Sequence, residues 1–148
     1  MNTYMPSKSE LEQRISRFYQ ALQQLCPQWD TVLVINKTNM YYFTGTRQDG
    51  VFVLRRDGST ALFVRRSFDR AVADSPLSCI YPMKSNAQVA ATIGESCGVT
   101  LIEKETVPVI LLERIRKYLQ MDQILPAEPA ISQVRSVKSL WELGIMQA

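Results

Sequence analysis

Between residues 39 and 50 the chain gathers Tyr41, Tyr42, Phe43, Thr44, Arg47, Gln48 and Asp49 around two glycines, Gly45 and Gly50. Aromatic walls beside hydrogen-bonding groups are what a ligand rim needs, and segments joining strands are where sites commonly sit. Tyr41, Tyr42 and Phe43 would be the walls of such a rim, and Arg47, Gln48 and Asp49 its hydrogen-bonding groups. The same stretch has a plainer use, in which residues 41–43 pack against a sheet and the glycines serve turns.

Other chemistry is less well supplied. Arg55, Arg56, Arg65, Arg66 and Arg70 form a basic cluster that could meet phosphate, but Asp57, Asp69 and Asp74 are interspersed and the formal charge is only +3. With no nucleic-acid motif present, a nucleic-acid partner is not expected. Glu103 with Glu105, and Glu10 with Glu12, are carboxylates two apart, but nothing in the sequence brings a pair into one cleft for acid–base work. The three cysteines Cys26, Cys79 and Cys97 form no CxxC and read as buried small hydrophobes. Histidine, the usual base near neutral pH and the commonest metal ligand, is absent from all 148 residues. Serine triads and ordinary zinc hydrolase sites lose their main ingredient, and no GxGxxG, GxxxxGK[ST] or GxSxG occurs.

The elements that must position the 39–50 stretch are legible in the apolar pattern. Leu11, Ile15, Phe18, Tyr19, Leu22 and Leu25 mark one face of a helix, with Ser9 and Glu12 as its capping box and Pro27 as its stop. Residues 31–36 read as a buried strand. Residues 51–54 and 61–64 read as a hairpin closed by a two-residue type I′ turn at Asp57-Gly58. Neither hairpin strand alternates with polar residues, so both faces of the sheet should be covered by helices. A short helix is expected over 67–73 and a strand over 78–81. Ser85 and Gln88 box the start of a helix showing Val89, Ala90, Ile93 and Cys97 and ending at Gly98. A strand over 99–102 and a helix from Thr106, with Pro108 in its first turn, follow; residues 126–129 are a loop. The fold class is α/β, a mixed β-sheet flanked by helices on both faces.

At 46% hydrophobic and 21% charged, the chain has the profile of one soluble globular domain. Its longest apolar run, residues 107–112, is far below the ~20 residues that span a bilayer, and residues 1–9 contain no apolar signal region. A cytoplasmic protein with no membrane partner is expected. After Arg135-Ser136-Val137-Lys138, Ser139 and Glu142 cap one more helix, over 140–148, which is below the ~12–15 residues at which an isolated helix is even marginal. It reads as the opening of something larger.

Taken in order, these segments resemble the N-terminal domain of the pita-bread metallopeptidases, the family of aminopeptidase P, prolidase and creatinase. The likeness is carried by the first helix and strand, Asn39-Met40-Tyr41-Tyr42-Phe43-Thr44-Gly45, residues 46–50 and 62–71, and the junction pattern of Arg135, Lys138 and Glu142. It implies a ribonuclease H-like domain over 1–134, with 135–148 as linker and first helix of a C-terminal catalytic domain. The family's activity is metal-dependent hydrolysis, commonly of Xaa-Pro bonds, with two divalent ions (Mn, Co or Zn) held by carboxylates and a histidine of that second domain. No catalytic residue, metal ligand or cofactor is expected in this chain. The resemblance implies a non-catalytic half that helps form a homodimer and covers the active site against proline-containing peptides, with Tyr41, Tyr42, Arg47, Gln48 and Asp49 as rim candidates. Some relatives on this fold have other substrates or no catalysis. A free-standing small-ligand or peptide-binding module is the alternative.

Overall fold

The computed structural model describes residues 5–137 and 142–144. Lys138 and most of the helix expected from residue 140 lie outside them. Along the chain run α1 (Lys8–Leu25), β1 (Thr31–Val34), α2 (Lys37–Thr44), β2 (Gly50–Arg55), β3 (Thr60–Val64), α3 (Phe68–Asp74), β4 (Ile80–Pro82), α4 (Asn86–Ile93), β5 (Ser96–Ile102), α5 (Val109–Arg116), β6 (Gln120–Pro126) and α6 (Glu128–Ser136). The strands make one mixed sheet in the order β4-β3-β2-β1-β5-β6. Only β2 runs against its neighbours; β1, β5 and β6 are parallel, as are β3 and β4.

Side-chain alternation divides the sheet between two cores. Val32, Val34, Phe52, Leu54, Leu62 and Val64 face α1, α2 and α6, while Leu33, Val51, Val53, Ala61 and Phe63 face α4 and α5. Every residue of β1 is buried. The expected α/β architecture with helices on both faces is the one observed.

Several local expectations need correction. Ser7, not Ser9, caps α1 by accepting from the Glu10 N–H at 3.1 Å. The hairpin does not use a type I′ turn, which needs two positive φ angles: Gly58 has φ 88° but Asp57 is not left-handed. Instead the Gly58 N–H donates to Arg55 O and the Arg55 N–H to Ser59 O, both at 2.9 Å, which makes a wider loop around one left-handed glycine. The capping box at Ser85 and Gln88 is present, but α4 stops at Ile93, and Cys97 is a buried residue of β5. The loop expected at 126–129 is the end of β6 and the first turn of α6, in which Pro129 sits where no helical N–H is needed.

Candidate functional site

The stretch from Asn39 to Thr44 is not a loop but the body of α2. Asn36 caps the helix, its Oδ1 accepting from the Thr38 and Asn39 N–H groups at 2.9 and 3.2 Å. Gly45 ends it in the left-handed region at φ 82°, a conformation without penalty for a residue lacking Cβ. A helix turns successive side chains by about 100°, so adjacent tyrosines part company. Tyr41 points outward and is 40% exposed, whereas Tyr42 is 8% exposed and packs inward with Phe43.

Tyr41 borders a groove of about 500 Å³ shared with Thr46, Arg47, Gln48, Arg70 and Asp74. Its floor is fixed by Asp74, which accepts from Arg70 Nε (3.1 Å to Oδ1) and Thr46 Oγ1 (3.4 Å to Oδ2). Three of the five rim candidates, Tyr41, Arg47 and Gln48, therefore come together. Asp49 is exposed and does not line the groove; its carbonyl accepts from the Arg65 N–H. The groove offers an aromatic wall, an amide and an exposed guanidinium, which suits binding of a carboxylate or peptide group. A larger groove of about 670 Å³, between α1 and the hairpin tip, contains none of the candidates. Arg55 and Arg56 of the basic cluster are occupied by backbone carbonyls, of Ile93 and Ser96 for the first and of Pro27 and Trp29 for the second.

Tyr42 belongs to a different constellation. Arg14, 5% exposed at its side chain, donates from Nε to Glu10 Oε2 at 2.9 Å and from Nη1 to the Tyr42 carbonyl at 2.7 Å. Its guanidinium carbon stands 4.4 Å from the centroid of the Tyr42 ring, and that of Arg135 stands 5.6 Å away, both within cation–π range. Arg17 Nη2 donates to the Tyr42 hydroxyl, which donates to the Val134 carbonyl, each at 3.4 Å. Glu142 Oε1 lies 3.8 Å from Arg14 Nε and 3.9 Å from Arg17 Nη2. The two described members of the expected junction, Arg135 and Glu142, thus converge with Tyr42 on the layer formed by α1, α2 and α6.

Burial, followed by the Glu142 carboxylate, pushes the Tyr42 phenol above the usual tyrosine range, against the opposing pull of Arg17 and Arg14. With the folded value raised, the native state holds this proton where the unfolded chain has lost it, so stability falls as pH rises. The contribution is complete below the ordinary tyrosine value of ~10 and declines through the folded one. Urea denaturation of the wild type and Tyr42→Phe should therefore give a constant difference below pH ~10 and a shrinking one above it; a difference that stays constant throughout would show that the phenol ionises freely.

The sequence offers Glu103 only as half of a carboxylate pair with Glu105, which the structure does not use. Glu103 is 1% exposed at the end of β5 and accepts from the Ile35 N–H (2.6 Å), the Asn36 N–H (2.9 Å) and Asn39 Nδ2 (2.7 Å). Asn39 Oδ1 in turn accepts from Arg135 Nη1 at 2.8 Å, which links the parallel strand ends to α6. The available signal was its place directly after the apolar run of β5, where a carboxylate would be buried with the strand end.

The described residues contain no group of three or more His, Cys, Asp or Glu able to hold a metal ion, and no helix long and apolar enough to cross a membrane. A sequence profile of the Creatinase/Prolidase N-terminal domain matches residues 14–137. Among solved structures, the chain is similar to the prolidase from Pyrococcus horikoshii OT3, at 19% identity and TM-score 0.76, over 90% of this chain and 38% of that one. It is similar to the Xaa-Pro dipeptidase from Bacillus anthracis, at 16% identity and TM-score 0.75, over 91% of this chain and 38% of that one. A Creatine_N superfamily domain of a dipeptidase from Streptococcus thermophilus matches at 14% identity and TM-score 0.68, over 82% of this chain and 98% of that one. No curated protein sequence matches the chain.

Proposed function

The chain belongs to the Creatinase/Prolidase N-terminal domain family, and we propose that it is the non-catalytic N-terminal domain of a cytoplasmic, metal-dependent Xaa-Pro peptidase. The observation that carries this reading is one of coverage: nearly all of the chain matches, yet it spans about 38% of the length of the prolidase and the Xaa-Pro dipeptidase, and almost the whole of the separate dipeptidase domain. In this reading residues 135–148 lead into a C-terminal domain that performs the hydrolysis. The residues described here do not fit a metal site, so the two divalent ions (Mn, Co or Zn) are assigned to that domain and no chemical step to this one. The domain's own contribution is to help build a homodimer and to bound the site that receives a proline-containing peptide. Tyr41, Arg47 and Gln48 are the rim residues, because they share one groove; Tyr42 serves the junction instead.

The purified chain is expected not to hydrolyse an Xaa-Pro dipeptide with Mn or Co added, and the native polypeptide in its source cells to have a mass at least about twice 16.9 kDa. Hydrolysis by the chain alone, surviving purification controls, would overturn the assignment. A native mass near 16.9 kDa would favour the second reading, a free-standing binding module. The groove at Tyr41 supports that reading, and ligand screening against it would be the next experiment.

A further inference from the structure

Glu142 is separated in sequence from everything it touches in the first helix, yet its side chain is only 13% exposed and its Oε1 faces both Arg14 and Arg17. The place it enters is prepared by other residues. Arg14 is aimed by the Glu10 carboxylate and by the Tyr42 carbonyl, Arg17 by the Tyr42 hydroxyl, and Arg135 by Asn39. Two guanidinium groups, of Arg14 on α1 and Arg135 on α6, face one aromatic ring from α2 and a third, of Arg17, meets its hydroxyl, with Glu10 as the carboxylate already among them. An arrangement with more positive than negative charge, held in place by hydrogen bonds to the Glu10, Tyr42 and Asn39 side chains and to the Tyr42 carbonyl, favours one further carboxylate and discriminates against an amide of the same shape.

We propose that Arg14, Arg17, Tyr42 and Arg135 form a docking socket for the segment around residues 142–144, with the Glu142 carboxylate as the group it captures. Every partner is part of this chain, so the inference holds or fails independently of the proposed function. Because α2 carries Tyr42 into the socket and Tyr41 into the groove, one short helix also ties the socket to the rim.

Backbone dynamics of the whole 148-residue chain, measured by nitrogen-15 relaxation, test the proposal. Amides at 142–144 are expected to have order parameters close to the ~0.85 of rigid backbone, and Glu142→Gln to bring them toward the ~0.6 of mobile segments while α6 stays unchanged. Arg17→Glu, at a side chain 29% exposed and therefore tolerable to the fold, should have the same effect. Order parameters below ~0.6 at 142–144 in the wild type, or no change in either Glu142→Gln or Arg17→Glu, would overturn it.

Discussion

Arg14→Met is expected to lower the free energy of unfolding by about 3–5 kcal/mol, because it leaves the buried Glu10 carboxylate without its partner. Glu10 is 6% exposed and Arg14 4%. Methionine matches the aliphatic stem of arginine but supplies neither the Nε–H to Glu10 nor the Nη1–H to the Tyr42 carbonyl. Two acceptors are then orphaned where water cannot replace the donor. The double variant Glu10→Leu with Arg14→Met should recover much of the loss, since removing both charges abolishes the desolvation cost that the single change exposes. Urea denaturation of the wild type, the two single variants Arg14→Met and Glu10→Leu, and the double variant closes the cycle. A single-variant loss under about 1 kcal/mol would place the pair in the class of screened surface ion pairs and contradict its burial.

That pair also shows where the sequence stops being readable. Glu10 and Arg14 are four apart on an amphipathic helix, the spacing of an ordinary solvated pair, and the apolar stripe through Leu11, Phe18 and Leu22 accounts for only one side of α1. The other side is covered by α6, which contributes Ala130, Ile131 and Val134 to the same core. Neither α6 nor β6 was expected. β6 is an edge strand, with Gln120, Asp122 and Gln123 exposed, so it lacks the apolar run that revealed β1, β2 and β3. The central strands and their two-sided covering were legible because burial on both faces forces continuous hydrophobicity.

The site was half legible for a related reason. The composition of residues 39–50 marked a concentration of useful groups, and Tyr41, Arg47 and Gln48 do meet at one groove. Assigning Tyr42 to the same rim required knowing the phase of a helix only eight residues long, whose capping by Asn36 and Gly45 is visible only in retrospect. Spacing alone cannot say which of two adjacent tyrosines faces inward when the element that orients them is unseen.

The second large effect is expected at Glu103. Along β1 and β5 the parallel ladder pairs Thr31, Val32 and Leu33 with Thr100, Leu101 and Ile102, and ends there. The N–H groups of Ile35 and Asn36 come after the last of these pairs, and a side chain takes over from the ladder: one oxygen of Glu103 accepts both, while the other accepts from Asn39. An N–H deprived of its acceptor costs about 1–3 kcal/mol when fully buried; the carboxylate is buried but its three donors are half-buried, so Glu103→Leu should lose about 2–4 kcal/mol. Glu103→Gln keeps one carbonyl oxygen for the backbone pair but presents an NH₂ group to the Asn39 amide, and should lose about 1–3 kcal/mol. The ordering of the two variants is the decisive result. If glutamine proves as damaging as leucine, the charge rather than the acceptor geometry holds the strand ends. If leucine costs less than about 1 kcal/mol, water reaches the Ile35 and Asn36 donors and the half-buried link from Glu103 through Asn39 to Arg135 does not hold the strand ends.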